Sequence, residues 1–386
     1  MAFTISGIGG YSGISFTTTQ PAPPPPPPQG YIWAWGSQGA AIGVGDTIAR
    51  SSPVQVGSLN TWSIIHASGG SQSFAIKTDG TLWAWGQNAY GRLGLNDTTV
   101  RSSPVQVGAL TNWAMAEGGS GFGIAGAVKT DGTLWIWGYN GYPSGAGALG
   151  LGNTTNYSSP KQVGSLTNWS KISASQYGFM ATKTDGTLWG WGHNNYGQLG
   201  VGNTTDRNSP TQVGALTTWS KIAAKGYYGA AIKTDGTLWT WGAGWNGVLG
   251  LGDTNHRSSP VQVGSLTNWS VIHVLSNGTM LAIKTDGTLW GWGSSGNGQL
   301  GLGAAPVYYS SPKQIGALTT WLNVSGDGAN TSAIKTDGTA WTWGNNAQGQ
   351  LGLGNTTSYS SPKQVGSRTT WTVISSAGST LLISSQ

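Results

Sequence analysis

Cysteine is absent from the 386-residue sequence, which excludes a disulfide framework and any thiolate metal site. Charge is scarce. Asp, Glu, Lys and Arg together make up 8% of residues, and Glu117 is the single glutamate. Long helices draw on Glu, Lys, Leu and Ala, and that mixture is missing. No stretch approaches the roughly 18 uninterrupted apolar residues of a membrane span. Met1-Ala2-Phe3-Thr4 lacks the basic and apolar segments of a standard secretory signal, so synthesis in a cytoplasm is expected. The net charge of +6 is spread along the chain and forms no dense basic stripe of the kind that binds nucleic acid. The four histidines include no His-x-x-His or His-Glu pair at metal-ligand spacing. These absences predict a chain with no metal, no cofactor and no membrane span.

What is abundant is glycine, 65 residues, and tryptophan, 22. Their arrangement is periodic. Trp-x-Trp-Gly occurs at Trp33–Gly36, Trp83–Gly86, Trp135–Gly138, Trp189–Gly192, Trp239–Gly242, Trp290–Gly293 and Trp341–Gly344, a repeat of about 51 residues. A second marker, Ser-Pro-x-Gln-Val/Ile-Gly, is carried by Pro53, Pro104, Pro160, Pro210, Pro260, Pro312 and Pro362. A further tryptophan follows each, at Trp62, Trp113, Trp169, Trp219, Trp269, Trp321 and Trp371; Trp245 alone stands outside the pattern.

One unit reads as four strands. Trp62–Ser68 is the first and Ser73–Thr78 the second. Asp79-Gly80 is expected to be a type I′ hairpin turn, and Thr81–Trp85 is the third strand. The fourth lies around Pro104–Val107, and its proline marks an outer edge. Four strands per unit with radial repetition predict an all-β propeller of seven blades. The ends of the chain complete it. Residues 31–57 supply two strands of one blade, and Trp371–Ile374 with Thr380–Ser385 supply the other two. Pairing across the chain ends closes the ring and removes open sheet edges.

Gly-Gln-Leu-Gly at Gly197–Gly200, Gly298–Gly301 and Gly349–Gly352, and the Asp-Gly-Thr-Leu-Trp-x-Trp-Gly-x-Asn run of Asp185–Asn194, carry a resemblance. They are similar to the regulator of chromosome condensation repeat, here in a bacterial or phage-like variant. The resemblance spans residues 31–386 and implies a seven-bladed propeller. Members of that family include an exchange factor for a small GTPase, a secreted β-lactamase inhibitor and a plant ultraviolet photoreceptor. Their shared property is protein binding through propeller loops. The photoreceptor's Gly-Trp-Arg-His-Thr-type repeat is absent, and so is an inserted β-wing of the kind an exchange factor uses.

No catalytic residues are expected. Asp79, Asp131, Asp185, Asp235, Asp286 and Asp337 belong to the Thr-Asp-Gly turns, and Asp46, Asp97, Asp206 and Asp253 to the loop before Ser-Pro, where turn hydrogen bonding explains them. Glu117 and Asp327 stand outside the pattern without an evident partner. His66 and His273 share a repeat position, while His193 and His256 fall in different loops. The paired tryptophans read as core, because both faces of a blade pack on neighbours. The lysines before Thr-Asp-Gly form a ring that is either a solvated rim or a site for an anionic partner.

Binding candidates come from departures from the repeat. The loop after Trp-x-Trp-Gly varies, and Tyr90, Tyr139, Tyr142, His193, Tyr196 and Trp245 are expected to cluster on one face. A second ring precedes Ser-Ser-Pro: Arg50, Arg101, Tyr157, Arg207, Arg257, Tyr309 and Tyr359.

Residues 1–30 lie outside the repeat. Residues 1–20 read as an attachment peptide, residues 21–30 as a polyproline linker and 31–386 as the propeller. A peg, a stiff spacer of roughly 25 Å and a compact head suggest display from a larger assembly. The sequence reading is a non-enzymatic binding and display protein. In its leading form it is a tailed-phage virion component, a fibre, tail or head decoration, joined to protein partners through residues 1–30. The propeller would then meet a host-surface glycan or protein. A soluble cytoplasmic regulator or inhibitor gripping one protein is the alternative, and a propeller lectin is another.

Overall fold

The computed structural model describes residues 30–36, 39–69, 71–121, 123–141, 145–303 and 308–385. The expected attachment peptide, most of the polyproline linker and Tyr142 lie outside the described residues.

Strands β1 to β28, in chain order, form seven four-stranded antiparallel sheets. The first full repeat gives β3 (Trp62–Ser68), β4 (Gln72–Lys77), β5 (Leu82–Gly86) and β6 (Arg101–Gln106), paired in that order from the axis outward. The bounds match the sequence reading to within one residue for the first three strands. Five more repeats follow the same plan. The seventh sheet runs β2-β1-β28-β27, from β1 (Tyr31–Gly36), β2 (Arg50–Gln55), β27 (Trp371–Ser376) and β28 (Ser379–Ser384). Ile32 pairs with Ile383 and Ala34 with Leu381, so the chain ends close the ring as the repeat count requires.

Residues of one repeat rarely bury themselves within their own sheet. Buried apolar residues fall into seven clusters, one at each junction between neighbouring blades. The second Trp of each Trp-x-Trp is fully buried there: Trp35, Trp85, Trp137, Trp191, Trp241, Trp292 and Trp343 are 0% exposed. In six of the seven the indole N–H reaches back to the equivalent turn of the preceding repeat, Trp191 being the exception. Trp241 donates to the Gln198 carbonyl at 3.0 Å and Trp137 to the Arg92 carbonyl at 2.9 Å. That explains the turn's last glycine. Gly200 has φ +75°, and a Cβ there would stand 2.8 Å from Trp241 Nε1. The asparagine after Trp-Gly organises the same loop. Asn194 Oδ1 accepts the Leu199 N–H at 3.0 Å, and its amide donates to the Asn203 carbonyl at 2.9 Å.

The Asp-Gly turn is not the predicted type I′. Gly80 has φ +77°, whereas Asp79 is not among the residues with positive φ. The Gly80 N–H donates to the Lys77 carbonyl at 2.9 Å, giving a type I turn followed by a left-handed glycine. Asp79 selects it by accepting from both the backbone N–H and the hydroxyl of Thr81, at 2.9 and 2.7 Å. Thr81 Oγ1 in turn accepts the Trp83 indole N–H at 2.9 Å. One hydrogen-bonded chain thus accounts for the spacing Asp-Gly-Thr-x-Trp.

Each first Trp of Trp-x-Trp stands edge-on to the tryptophan that opens an inner strand, with ring centroids 5.8–6.3 Å apart at all seven positions. Six of these pairs carry the Lys of Lys-Thr-Asp-Gly, its ammonium 3.7–3.9 Å from the first ring's centroid. These lysines therefore serve the fold, and their cations are already engaged. Burial lowers the pKa of Lys129, Lys183, Lys284 and Lys335.

In the closing blade that position is Ser384, and the cation comes from elsewhere. Arg368 lies 4.7 Å from the Trp33 centroid and 5.4 Å from that of Trp371. Its position is leucine in the other six repeats, at Leu59, Leu110, Leu166, Leu216, Leu266 and Leu318. Arg368→Leu alone is expected to cost about 1 kcal/mol. Arg368→Leu with Ser384→Lys restores the common arrangement and is expected to recover that loss. Thermal melts of both variants check it, and a double variant no better than the single one overturns the compensation.

Candidate functional site

Strands in a blade alternate in direction, so its connections alternate between two faces of the ring. The short loops after the inner strands and the long loops after Trp-x-Trp-Gly share one face. There the third and fourth blades bring six aromatic rings together. Tyr196 and Trp245, from consecutive long loops, meet at 4.6 Å between centroids. Tyr227, from the fourth blade's short loop, lies 5.1 Å from Tyr196 and 5.8 Å from Trp245. His256 closes on both, at 5.4 and 5.5 Å. Tyr177 and His193 support the inner side, with His193 at 6.3 Å from Tyr227. Trp245 is 39% exposed, so the cluster presents a rigid aromatic surface to solvent.

The predicted loop-face residues do not form a single group. Tyr90 packs on Tyr139 at 4.6 Å, one pair of blades away from the larger cluster. Tyr90 is 45% exposed and holds φ +60°, a left-handed backbone that is rare for a bulky residue. Tyr139 is half-buried and bonded to the Gly141 carbonyl. His193 departs from expectation. It is 4% exposed and faces Asp206 at 3.4 Å, so it props the platform rather than meeting a partner. Burial lowers its pKa against the opposing pull of Asp206. Tyr177, Tyr227 and His256 were not foreseen. The first two sit in short loops that are Gly-, Ser- or Asn-rich elsewhere, and that contrast was available in the sequence.

The second ring is tied into its own loops. Arg50, Arg101 and Arg257 pair with Asp46, Asp97 and Asp253 at 2.5–2.6 Å. Arg207 reaches Asn203 Oδ1 at 3.4 Å. The Tyr157 hydroxyl accepts from Asn153 at 3.3 Å, and Lys161 and Lys363 lie over Tyr157 and Tyr359. Tyr309 packs against the core clusters of its two junctions. The charges of Arg50, Arg101 and Arg257 are thus paired within their own loops.

The axis of the propeller holds the remaining unusual polar residues. The inner strands β3, β7 (Trp113–Gly118), β11 (Trp169–Ala174), β15 (Trp219–Lys225), β19 (Trp269–Leu275), β23 (Trp321–Asp327) and β27 line a cavity of about 220 Å³. The fourth residue after each opening Trp is His66, Glu117, Ser173, Ala223, His273, Ser325 or Ser375. All but Ala223 bond to the backbone of the next blade. Ser375 Oγ accepts from Ala67 N–H at 2.8 Å, Ser173 Oγ from Ala224 N–H at 2.9 Å and Ser325 Oγ from Ser376 N–H at 2.9 Å. Glu117 accepts from Ala174 N–H at 3.3 Å. His66 Nε2 meets the Gly118 carbonyl at 3.3 Å, and His273 Nε2 the Gly326 carbonyl at 2.9 Å. Glu117 therefore has a partner in the Ala174 N–H, and His66 Nδ1 lies 3.9 Å from its carboxylate. Asp327 accepts from Ser276 N–H at 3.3 Å. These groups stitch inner strand edges together and are committed to the fold. No group of three His, Cys, Asp or Glu able to hold a metal occurs among the described residues.

The stitches titrate. Burial raises the Glu117 carboxyl from 4.5 to about 7, while Lys225 and the Ala174 N–H pull the other way. Its contribution to stability is present below the unfolded value and is lost as pH rises through about 7. Burial, reinforced by Lys225, lowers His66 to about 3, and burial lowers His273 to about 4. Their contribution is present above the unfolded value of 6.5 and is lost as pH falls toward those values. Glu117→Gln keeps an acceptor for Ala174 and removes only the first effect. The variant is expected to exceed the parent by about 1–3 kcal/mol at alkaline pH and to match it at acid pH. Thermal melts across that range test this, and a pH-independent difference would contradict the assignment.

No helix among the described residues is long and apolar enough to cross a membrane. The profile described as the regulator of chromosome condensation (RCC1) repeat matches residues 79–125, 131–181, 185–232, 235–277, 286–332 and 337–382. The chain is similar to the ultraviolet-B receptor UVR8 of Arabidopsis thaliana, 32% identical over 44% of this chain and 38% of the receptor. It is similar to the mouse E3 ubiquitin-protein ligase HERC2, 30% identical over 42% of this chain but 4% of the ligase. The chain thus spans well under half the length of these relatives. Among solved structures, yeast RCC1 (Prp20) bound to Kap60 superposes with a TM-score of 0.78 at 17% identity, over 93% of this chain and 90% of that one. With six repeat matches covering most of a ring whose seven blades all follow one plan, the chain belongs to the regulator of chromosome condensation repeat family.

Proposed function

We propose that this chain is a non-enzymatic, protein-binding regulator or inhibitor that grips a protein partner through the loop face. The observation that carries the reading is the aromatic platform on blades three and four, where the exposed Trp245 and His256 pack on the half-buried Tyr196 and Tyr227. Aromatic anchors on a rigid scaffold supply most of the energy at protein interfaces. The Tyr90–Tyr139 pair is a secondary contact on the same face. The relatives support this alternative over the virion reading, which draws no support from them. Display from a particle rests on the peg–spacer–head layout of residues 1–30 and on the composition.

The deciding experiment is the size and composition of the native complex, with and without residues 1–29. The regulator reading expects a defined complex with one protein that survives the truncation. A large particle that is joined only through the arm would overturn it and restore display. A glycan screen separates the lectin reading: a glycan hit lost in Trp245→Ala would move the platform from protein to sugar recognition.

A further inference from the structure

The side wall of the propeller carries apolar grooves at the blade junctions. Four are open enough to hold a ligand, with volumes of about 230, 310, 460 and 640 Å³. The three that follow the common repeat have the same walls: an inner-strand Trp, the first Trp of a Trp-x-Trp, an exposed leucine and the proline of the next outer strand. Between the closing and first blades these are Trp62, Trp83, Leu59 and Pro104. Leu59 is 45% exposed. The half-buried Trp83 and Pro104 and the exposed Leu59 make an apolar wall that suits a polyproline II helix. The rings of such a helix lie on aromatic walls.

The chain carries such a segment. Pro21 and Pro23–Pro28 end two residues before Gly30. Gly30 is pinned to the wall of this same groove: its N–H donates to the Trp62 carbonyl at 3.0 Å, and the Trp62 N–H returns to the Gly30 carbonyl at 3.3 Å. A run of eight residues spans roughly 25 Å in this conformation, enough to lie across the groove from that anchor. The groove lies at the junction of the closing and first blades, whose buried cluster takes side chains from both ends of the chain. We propose that residues 21–28 dock as a polyproline II helix in the groove formed by Leu59, Trp62, Trp83 and Pro104 of the same chain. The arm then lies over the junction of the closing and first blades, and residues 1–20 leave from a fixed point.

Because the sequence has no cysteine, Ala22→Cys in the full chain gives a unique thiol for bimane, which tryptophan quenches on contact. Emission is expected to be severalfold lower than from a labelled peptide of residues 15–30. Leu59→Asp is expected to restore it; Leu216→Asp, at the same position of another repeat, is not. Both leucines are more than two-fifths exposed, so neither change disturbs the core. Pro25→Asp with Pro26→Asp alters only the arm and is also expected to restore emission. A label as bright as the peptide, or quenching indifferent to Leu59→Asp, overturns the docking. Quenching that grows with protein concentration overturns docking in the same chain and assigns the groove to the arm of a second copy.

Discussion

A chain ended at Gly378 is expected to lose the ring as a whole, not one blade of it. β28 is the second strand from the axis in the closing sheet, between β1 and β27, so its removal parts the two ends of the chain. Its side chains serve both flanking junctions. Leu381 and Ile383 belong to the cluster shared with the first blade, and Leu382 to the cluster shared with the sixth. All three are 0% exposed. Burial of each stabilises by about 1.5–3 kcal/mol, against a net stability of about 5–15 kcal/mol for a folded domain. The truncation also leaves β1 with an unpaired edge, which invites association between chains. Leu382→Ala alone, which keeps the strand, is expected to cost about 2–5 kcal/mol. Thermal unfolding followed by circular dichroism, with size-exclusion chromatography, distinguishes the outcomes. A truncated monomer that still melts in one sharp transition near the parent's temperature would show that closure does not hold the ring.

The closure was readable from the sequence because the missing strands at one end match the surplus strands at the other. The Asp-Gly turn was misread for a definite reason. Both candidate turns place Gly80 at positive φ, and what separates them is the φ of Asp79, kept out of the positive region here with its carboxylate bonded to Thr81. A dipeptide does not report that, although the threonine that follows it gives the acceptor its donors. The axial stitches were also hidden. Glu117 and His66 look isolated along the chain because their partners lie in neighbouring blades, some 50 residues away in sequence. Only the alignment of every residue four beyond an inner-strand Trp exposes them as one ring.

The candidate face was half legible. Consecutive long loops meet, so Tyr90 with Tyr139 and Tyr196 with Trp245 follow from the repeat. Two blades' separation keeps those pairs apart, which a linear list of variable loops does not convey. Tyr177 and Tyr227 occupy loops too short to attract attention, yet their rings bridge the inner strands to the platform. Specificity in a repeat array of this kind is carried by where it stops repeating. The grooves and stitches recur around the ring, while the aromatic platform occurs at one junction.

That contrast sets the largest expected effect on binding. Trp245→Ala is expected to weaken partner affinity by about 2–4 kcal/mol, or roughly 30- to 1,000-fold, as is Tyr196→Ala. The rings touch at 4.6 Å, so the double variant is expected to lose less than the sum of the two. Trp245 sits in a surface turn and is partly exposed, so its melting temperature is expected to stay close to the parent's. His193→Ala is the contrasting case. That side chain is buried beneath Tyr177 and Tyr227, so the substitution is expected to lower stability as well as affinity. Leu266→Ala, on the opposite face, controls for general damage. Isothermal titration of the isolated partner measures all five variants. If the platform variants bind within about twofold of the parent while Leu266→Ala abolishes binding, the partner uses the other face. The aromatic cluster is then a packing device for the joint between blades three and four.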